Sequence, residues 1–413
     1  MKSFKQFLPE QFLVEKANTH LEHIEDRVLD EGSAGAREAL YAIKGAHEFL
    51  RGNSDNSYNV TVKWDGAPAV IFGTNPENGR FFVGSKSVFN VNPKINYTKE
   101  DCYANHPSGL AEKLAEALKY LSKLNVKGVL QGDLMYTPGD LKSAVIDGEK
   151  MITFHPNAIV YAVPENTDLA KRIRASKIGI VIHTTYSGGK KLSDMKPSFG
   201  ADARPYQNSR DVWIQDAYFK DESGTSTFTK RESQQLEKII ANAEASYNAG
   251  KGFMDEFSKM DKFVAELKIY INSQVRARQN ITDPGKYVHG YIKFFADRYI
   301  TKIEKKRMEG KNPSRMEENY REQMEIIRDK SRHLVAIVEF MKHITEAKEL
   351  IVKKLNQAKS IGTFLLTKDG YKTTHPEGFV AIDRNQNAVK LVDRMGFSSA
   401  NFDPNIIKGW EHK

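Results

Sequence analysis

The hydrophobic pattern of this chain changes character twice, and these changes constrain the fold more than any other feature. Residues 58–192 contain mostly short β-rich runs, residues 230–359 show helical spacing almost throughout, and β-rich runs return in 362–392. When a long helical stretch separates two β-rich parts of one chain, the helical stretch is expected to be an insertion into a single β-rich domain. The pattern therefore predicts an α+β protein in which a helical block is inserted between two parts of one β-rich domain.

Short runs of β-branched and aromatic residues, bounded by turn residues, predict the individual strands. These runs are 58–64, 69–72, 80–83, 129–136, 151–154, 158–163, 178–183, 211–214, 362–367, 378–382 and 388–392. One clear helix, 109–124, interrupts the first group because its leucines recur on one face.

Four segments follow from these changes in pattern. They are a helical N-terminal extension (1–57), a first β-rich part (58–229), a helical insertion (230–358) and a closing β-rich part (359–413). Residues 1–10 resemble the short leader that directs proteins into the proheads of large tailed phages, which is removed after a Leu-x-Glu such as Leu8-Pro9-Glu10. The alternative is an ordinary amphipathic opening helix.

The helical insertion carries most of the basic excess. Residues 230–358 contain 26 Lys and Arg against 19 Asp and Glu, which accounts for +7 of the net charge of +9. Glycine and proline predict breaks at 250–252, 283–285 and 310–313, and hence a three- or four-helix bundle. Lys302, Lys305, Lys306 and Arg307 form a candidate nucleic-acid surface, because clustered cations suffice to follow a phosphate backbone. The alternative is a solvated charged face.

Composition excludes several classes of protein. No run of about 18 apolar residues exists, so we expect no membrane partner. A single cysteine, Cys102, excludes an intrachain disulfide and any multi-cysteine zinc site, which favours a reducing compartment. We expect a cytoplasmic protein, in the host cytoplasm if it is viral, with packaging in a phage head as a further option. The sequence leaves the oligomeric state open.

The chemistry is expected at Lys63-Trp64-Asp65-Gly66, which follows the first predicted strand. Alternate residues of a strand share a face, so Lys63 and Asp65 point to the same side, and Gly66 permits close approach of the backbone. An amine that attacks phosphorus must be deprotonated, which burial or nearby cations favour. The alternative is a surface Lys–Asp pair at a β-turn.

Five further elements follow this tetrapeptide in a recognisable order. They are Ser85-Lys86, Gly132-Asp133, Ile159-Val-Tyr161-Ala-Val163, Glu377-Gly378-Phe-Val380 and Ala388-Val-Lys390-Leu-Val392. In this order the chain resembles the covalent nucleotidyltransferase superfamily of ATP-dependent DNA ligases, RNA ligases and mRNA capping enzymes. The resemblance covers residues 58–165 and 361–394, and it implies a ligase-type (ATP-grasp-like) nucleotidyltransferase domain of antiparallel sheets.

The resemblance also implies roles for single residues. Lys63 would be the nucleophile that attacks the α-phosphate of ATP, and Asp133 and Glu377 would hold Mg²⁺. The remaining nucleotide-binding residues would be Asp65, Gly66, Lys86, Tyr161 and Lys390, with Tyr161 stacking on the base and the two lysines facing phosphate. Asp133 has a second interpretation, as a contact to the ribose.

The expected product of this chemistry is a sealed polynucleotide. AMP would pass from Lys63 to the 5′-phosphate of a nicked or broken strand, and attack by a 3′-hydroxyl would close it. RNA ligase is favoured over DNA ligase and capping enzyme, because only 19 residues follow Arg394 and no separate OB-type domain is visible there.

Three positions depart from the family pattern. Pro68 stands where Arg or Asn is usual, Asp133 replaces a commoner Glu, and Val392 replaces the second lysine of the last motif. Arg384 or Arg394 could take the place of that lysine. These departures favour the alternative of a catalytically degenerate ligase fold, kept as a structural or packaged phage-particle protein. His155, His183 and His375 lack metal-ligand spacing and are interpreted as structural or surface residues.

Overall fold

A computed structural model describes residues 23–52, 58–219, 227–357, 361–383, 388–395 and 405–409. Helices and largely antiparallel sheets make up these residues, which confirms the α+β class. The proposed leader, residues 1–10, lies outside the described residues, as does Arg384.

The strands follow the predicted runs closely. They are β1 (Tyr58–Lys63), β2 (Ala69–Thr74), β3 (Phe81–Gly84), β4 (Val129–Tyr136), β5 (Lys142–Ile146), β6 (Glu149–Phe154), β7 (Ile159–Pro164), β8 (Ile178–Ser187), β9 (Lys196–Phe199), β10 (Val212–Asp216), β11 (Gly362–Thr367), β12 (Gly370–Thr373), β13 (Gly378–Asp383) and β14 (Ala388–Leu391). The sequence patterns did not predict β5, β9 and β12, which are short or largely exposed.

The strands pair into three sheets. Sheet A has the order β1-β13-β14, sheet B the order β10-β8-β4-β2-β3 with β9 on β8, and sheet C the order β12-β11-β7-β6-β5. All pairs are antiparallel except β10 with β8. Sheets A and C each combine strands from both sides of the helical insertion, because β13 pairs with β1 and β11 pairs with β7.

The helices divide into those beside the sheets and those of the insertion. They are α1 (Arg27–Leu50), α2 (Lys99–Asn105), α3 (Ser108–Leu121), α4 (Asp168–Ala175), α5 (Lys230–Phe257), α6 (Asp261–Arg276), α7 (Pro284–Met308), α8 (Ser314–Asp329) and α9 (Ser331–Leu355). The predicted break at 283–285 is confirmed, since Asp283 caps α7 and Pro284 occupies its first turn. Within the described residues the insertion has five helices, so the three- or four-helix prediction was wrong.

The break predicted at 250–252 was also wrong, because α5 runs through it. Gly250 is buried against α9, where an added Cβ would lie 3.2 Å from the Cβ of Ala336. The glycine therefore serves close helix packing, and the capping box of Thr229 and Glu232 fixes where the helix begins. Conversely, residues 316–355, where no glycine or proline predicts a break, are divided between α8 and α9.

The main hydrophobic core unites regions that are far apart in the sequence. Helix α1, the helices of the insertion and one face of sheet A contribute to a single cluster that includes Ile43, Leu236, Ile344 and Phe379. Sheet B packs on α3. Sheet C packs on sheet B around Trp213 of β10. None of the described helices combines the length and apolar content that a membrane span requires.

Candidate functional site

A cavity of about 270 Å³ lies between sheet A and sheet B. In sheet A, Thr61 is paired with Val380 and Val380 with Lys390, so these three side chains share one face, which lines the cavity. The residues that alternate with them along the strands, such as Ala381 and Val389, point to the other face and belong to the helical core. Strand alternation thus gives sheet A one face toward the helices and one toward the cavity.

The second wall comes from the two central strands of sheet B. Gln131 and Asp133 alternate on β4, and Val181 and His183 alternate on β8, and all four line the cavity. The pairing of β4 with β8 shifts between Gln131 and Gly132, which marks a local irregularity at this point. Polar groups therefore converge on the cavity from strands that are otherwise apolar.

Lys63 ends β1 and lines this cavity. It is paired across the sheet with Gly378, which brings the preceding residue, Glu377, beside it. The Lys63 ammonium and the Glu377 carboxylate form an ion pair in which the side chains are 27% and 13% exposed. Burial raises the pKa of Glu377, and the charge of Lys63 opposes that shift. The expected nucleophile and the expected metal ligand thus meet, although the whole helical insertion separates them in sequence.

Two glycines of the motifs allow strands to approach closely. An added Cβ at Gly66 would lie 2.5 Å from the Cβ of Asp133, and one at Gly378 would lie 2.8 Å from the carbonyl oxygen of Leu391. Gly378 also has a φ of +153°, which favours glycine. Gly66 does not line the cavity and is required instead by packing against β4.

Asp65 lies outside the cavity, and its carboxylate anchors the loop after Lys63. It is only 4% exposed. One oxygen accepts from the side-chain amide of Asn157 (2.6 Å), and the other accepts from the backbone N–H groups of Ala158 (2.9 Å) and Ile159 (3.0 Å). Burial raises the pKa of Asp65, whereas these hydrogen bonds lower it. The structure therefore gives Asp65 a positioning role, because both oxygens of its carboxylate are engaged within the protein.

Tyr161 is placed differently from the expectation that it stacks on a base. It is 1% exposed, and its ring packs against Trp64 at a centroid distance of 5.0 Å and against Phe154 at 5.4 Å. Its hydroxyl accepts a hydrogen bond of 2.7 Å from the backbone N–H of Asp65. Tyr161 therefore packs against Trp64 and does not line the cavity itself. Trp64 does line the cavity and is the aromatic residue next to Lys63.

Two further lysines face the cavity. Lys86 opens a short 3₁₀ turn after β3, and Lys390 lies in β14 opposite Val380. Burial lowers the pKa of Lys86, while the nearby Asp133 carboxylate opposes this change. Three lysines from three separate parts of the chain therefore surround a small cavity, an arrangement suited to a polyanion.

His183 was interpreted as structural from the sequence, but it lines the cavity. Its Nε2 lies 3.7 Å from a carboxylate oxygen of Asp133, and its Nδ1 lies 2.8 Å from the hydroxyl of Thr184. The sequence contains a signal for it, since the apolar run of β8 turns polar at His183-Thr184-Thr185. Tyr186 and Phe199 are further lining aromatics that were not singled out, and the Tyr186 hydroxyl donates to Gln131 at 2.7 Å.

The expected Mg²⁺ ligands fit a metal that arrives with its substrate. Among the described residues, no three His, Cys, Asp or Glu side chains are grouped to hold a metal. Mg²⁺ commonly uses one or two carboxylates and completes its shell with water and substrate phosphates. Asp133 and Glu377 offer that donor set. Burial raises the pKa of Glu377, the charge of Lys63 opposes this shift, and the Asp133 carboxylate adds to it.

The candidate nucleic-acid-binding cations of the helical insertion differ in whether they form ion pairs. Lys302 lies 3.5 Å from Glu266, and Arg307 pairs with Glu317 at 2.5 Å. Lys305 and Lys306 form no ion pair within the described part of the chain. Lys305, Lys306 and Arg307 occupy the last turn of α7, where positive charge also stabilises the helix.

The departures from the motif pattern can be located as well. Pro68 follows a cis peptide bond, and its carbonyl accepts from the backbone N–H of Leu134, so this position is joined to β4. Arg394 does not substitute for a second cavity lysine. Its guanidinium donates to Asp26 (2.8 and 3.1 Å) and to Asn272 (2.8 Å), and it lines a separate cavity among the helices.

Comparison with known proteins gives one match. The model of a family of unknown function (DUF6267) matches residues 18–406, which is most of the chain. Neither a curated protein nor a solved structure matches it.

Proposed function

The chain belongs to the DUF6267 family, whose function is unknown, and we propose that it is an ATP-dependent polynucleotide ligase that acts through a covalent lysyl-AMP intermediate. One observation carries the proposal. Lys63, Lys86, Asp133 and Lys390 line one cavity between two sheets, and Glu377 is paired with Lys63. The proposal includes the finer fold assignment, a ligase-type (ATP-grasp-like) nucleotidyltransferase domain, which rests on the motif order.

In the first step the Lys63 amine attacks the α-phosphorus of ATP. The N–P bond forms, the bond from the α-phosphorus to the bridging oxygen breaks, and pyrophosphate leaves with that electron pair. Lys63 must first lose a proton to solvent, which requires Glu377 to release the ammonium from their ion pair. Lys86 and Lys390 stabilise charge on the phosphate oxygens.

The carboxylates of the site serve the phosphate-bound metal. Asp133 and Glu377 would hold Mg²⁺, which neutralises the triphosphate and stabilises the leaving pyrophosphate. His183 lies beside this site, with its Nε2 3.7 Å from a carboxylate oxygen of Asp133. Trp64 presents an aromatic face to the base in the position first expected for Tyr161.

In the second step the 5′-phosphate of a nicked or broken strand attacks the phosphorus of the lysyl-AMP. The N–P bond breaks, Lys63 is regenerated, and the strand carries a 5′-adenylate. A 3′-hydroxyl then attacks the strand phosphate, which seals the chain and releases AMP. RNA is the preferred acceptor, and Lys305 and Lys306 on α7 are the proposed backbone contacts.

The test uses ATP labelled at the α-phosphate. We expect label that survives denaturation in the unaltered chain with Mg²⁺, no label in Lys63→Ala, and normal label in Lys119→Ala, which removes an exposed lysine outside the cavity. Absence of an adduct with both ATP and GTP would refute the enzyme. Once an adduct is found, nicked RNA, nicked DNA and single-stranded RNA identify the acceptor.

A degenerate ligase fold with a structural or particle-packaged role is the second candidate. The observation in its favour is that Asp65 and Tyr161 are engaged in buried contacts, while Pro68 replaces a polar residue. It predicts no covalent label under any condition, whether or not the protein binds a nucleotide. It also predicts that Lys63→Ala does not change binding to nucleic acid.

A further inference from the structure

The cavity that contains Lys63 is lined by uncharged polar side chains as well as by ionic ones. Gln131 and Thr184 contribute from sheet B, and Thr61 contributes from sheet A. The proposed function assigns the lysines and carboxylates to the phosphates and their metal, and Trp64 to the face of the base. Stacking on an aromatic ring tolerates every base, whereas a few precisely placed polar groups give specificity. A preference for one base therefore requires the uncharged side chains.

A β-bulge in β8 places a tyrosine beside Gln131. The pairing of β4 with β8 skips one residue of β8, His183, opposite Gln131 and Gly132. Val181 and Tyr186 are an odd number of positions apart, so in a regular strand they would point to opposite faces of the sheet. Because the bulge shifts the alternation, both of them line the cavity.

The Tyr186 hydroxyl fixes the orientation of the Gln131 carboxamide. This hydroxyl lies 2.7 Å from Oε1 of Gln131 and has no other hydrogen-bond partner among the described residues. Burial raises the pKa of Tyr186 to about 12, so the hydroxyl keeps its proton at neutral pH. A buried O–H that lacks an acceptor is costly. The hydroxyl therefore donates to the carbonyl oxygen of Gln131. The ring of Tyr186 is held in turn by Phe89, at a centroid distance of 4.6 Å.

The amide nitrogen of Gln131 is consequently a donor without a partner. It makes no hydrogen bond within the described part of the chain, and it does not belong to the polar atoms that the protein encloses there. Since Gln131 lines the cavity, a molecule bound in the cavity can accept a hydrogen bond from this nitrogen. The two purines differ at ring position 1, where adenine has an acceptor nitrogen and guanine has an N–H donor. A fixed donor pairs with adenine at that position and opposes guanine.

We propose that Gln131 donates a hydrogen bond to N1 of adenine and thereby determines a preference for ATP over GTP, with Tyr186 as its positioning residue. The role of Gln131 rests on the proposed function, in which the cavity holds a nucleotide. It adds to that function the residue that selects the nucleotide.

The test measures binding, so that it does not depend on catalysis. The full chain is titrated calorimetrically, with Mg²⁺ present, with the α,β-methylene analogues of ATP and GTP, whose carbon bridge prevents pyrophosphate from leaving. The ATP analogue is expected to bind about tenfold more tightly, which corresponds to about 1.4 kcal/mol. Equal Kd values, tighter binding of the GTP analogue, or no binding of either analogue would overturn the proposal.

Variants locate the preference, which is measured as the ratio of the two Kd values. Gln131→Met keeps the length of the side chain but removes the donor, so the ratio should fall to about one. Gln131→Glu can still accept from Tyr186 but presents a second acceptor to the cavity, so it should favour the GTP analogue. An unchanged ratio in these two variants would show that another residue reads the base.

The positioning role has its own variant and control. Tyr186→Phe removes the hydroxyl that orients the carboxamide, so Gln131 can rotate and the ratio should fall. Tyr97→Phe is the matched control, because it removes a hydroxyl that accepts from the side-chain amide of Asn75 and does not line the cavity. Equal ratios in the two tyrosine variants would refute the role of Tyr186.

Labelling at Lys63 separates this proposal from the proposed function. A chain that discriminates between the analogues but forms no adduct would retain the role of Gln131 and lose the ligase. A chain that forms the adduct equally well from ATP and GTP in competition would retain the nucleotidyl transfer and lose the role of Gln131.

Discussion

Two lysine–glutamate pairs occupy contrasting regions of this molecule. Lys63 and Glu377 lie at the cavity between the sheets, with side chains 27% and 13% exposed. Lys348 and Glu25 lie in the helical core, with side chains 1% and 6% exposed. Both pairs join residues that are distant in sequence, but the first is more open to solvent than the second. The difference teaches that the same chemical pair can hold a fold together in one place and, under the proposed function, position a nucleophile in another.

The strongest test of this contrast is to remove each lysine in turn. Lys348→Met should lower the free energy of unfolding by about 3–5 kcal/mol, because Glu25 is left buried and uncompensated. His23 cannot replace the lost cation, since burial lowers its pKa to about 3. Lys63→Met should cost less than about 1 kcal/mol, because water reaches Glu377 more readily. Denaturant titration measures both.

The double variant Glu25→Leu with Lys348→Met sharpens the result. Replacing both charges by apolar groups should recover most of the stability, as buried pairs often tolerate such replacement. If Lys348→Met and Lys63→Met destabilise the chain equally, the distinction between a structural and a poised pair is lost.

The second largest effect is expected at Asp65, whose carboxylate anchors the loop after Lys63. Asp65→Ala should lower the free energy of unfolding by about 2–3 kcal/mol, because the buried N–H groups of Ala158 and Ile159 lose their acceptor. Asp65→Asn should cost less, since the amide of Asn157 can rotate and accept from the new side chain. Thermal and denaturant unfolding of the two variants provides the comparison.

Labelling distinguishes a positioning residue from the nucleophile. Asp65→Asn should still form the lysyl-nucleotide adduct, more slowly, whereas Lys63→Ala should form none. A complete loss of label in a folded Asp65→Asn protein would assign the carboxylate a direct part in nucleotide binding.

A smaller effect is expected at the surface cations of the helical region. Lys305→Glu combined with Lys306→Glu should weaken binding of a polynucleotide and reduce its salt dependence. The log–log slope on B-DNA should fall by about 0.9 for each phosphate that the chain no longer neutralises. Lys238→Glu with Lys251→Glu changes the net charge equally on α5 and should have less effect. Filter binding over a range of salt concentrations measures the slope, and equal slopes in the two double variants would remove α7 as the binding surface.

The sequence predicted the cavity residues better than the helical core. Lys63, Glu377 and Lys390 could be brought together because motif order and strand alternation specify which residues share a sheet face. The burial of Tyr161 could not be foreseen, since it depends on Trp64 and Phe154 arriving from separate strands.

Helix packing was equally hidden from the local pattern. Gly250 resembles a breaker, and only the approach of Ala336 on α9 reveals why the helix needs a glycine there. The union of α1 with the insertion in one core, and the ion pair of Glu25 with Lys348, depend on contacts between residues hundreds of positions apart. Periodicity describes a helix face but does not say which partner covers it.

The smallest effect expected is a difference in sign between the two glutamates as pH changes. The folded-state pKa of Glu377 is raised, chiefly by burial, so the folded chain retains a proton that the unfolded chain releases. Stability contributed at this position should therefore fall as pH rises through the interval from about 4.5, its ordinary value, to the folded pKa. At Glu25, although burial opposes ionisation, Lys348 lowers the pKa, so stability should be lost as pH falls below about 4.5 through the folded value. The free energy of unfolding of the unaltered chain, minus that of Glu377→Gln or Glu25→Gln, should accordingly decrease with pH in the first case and increase in the second. Glu339→Gln should show neither trend. Two curves of the same sign would mean that both pairs experience the same environment, and the contrast between the cavity and the helical core would fail.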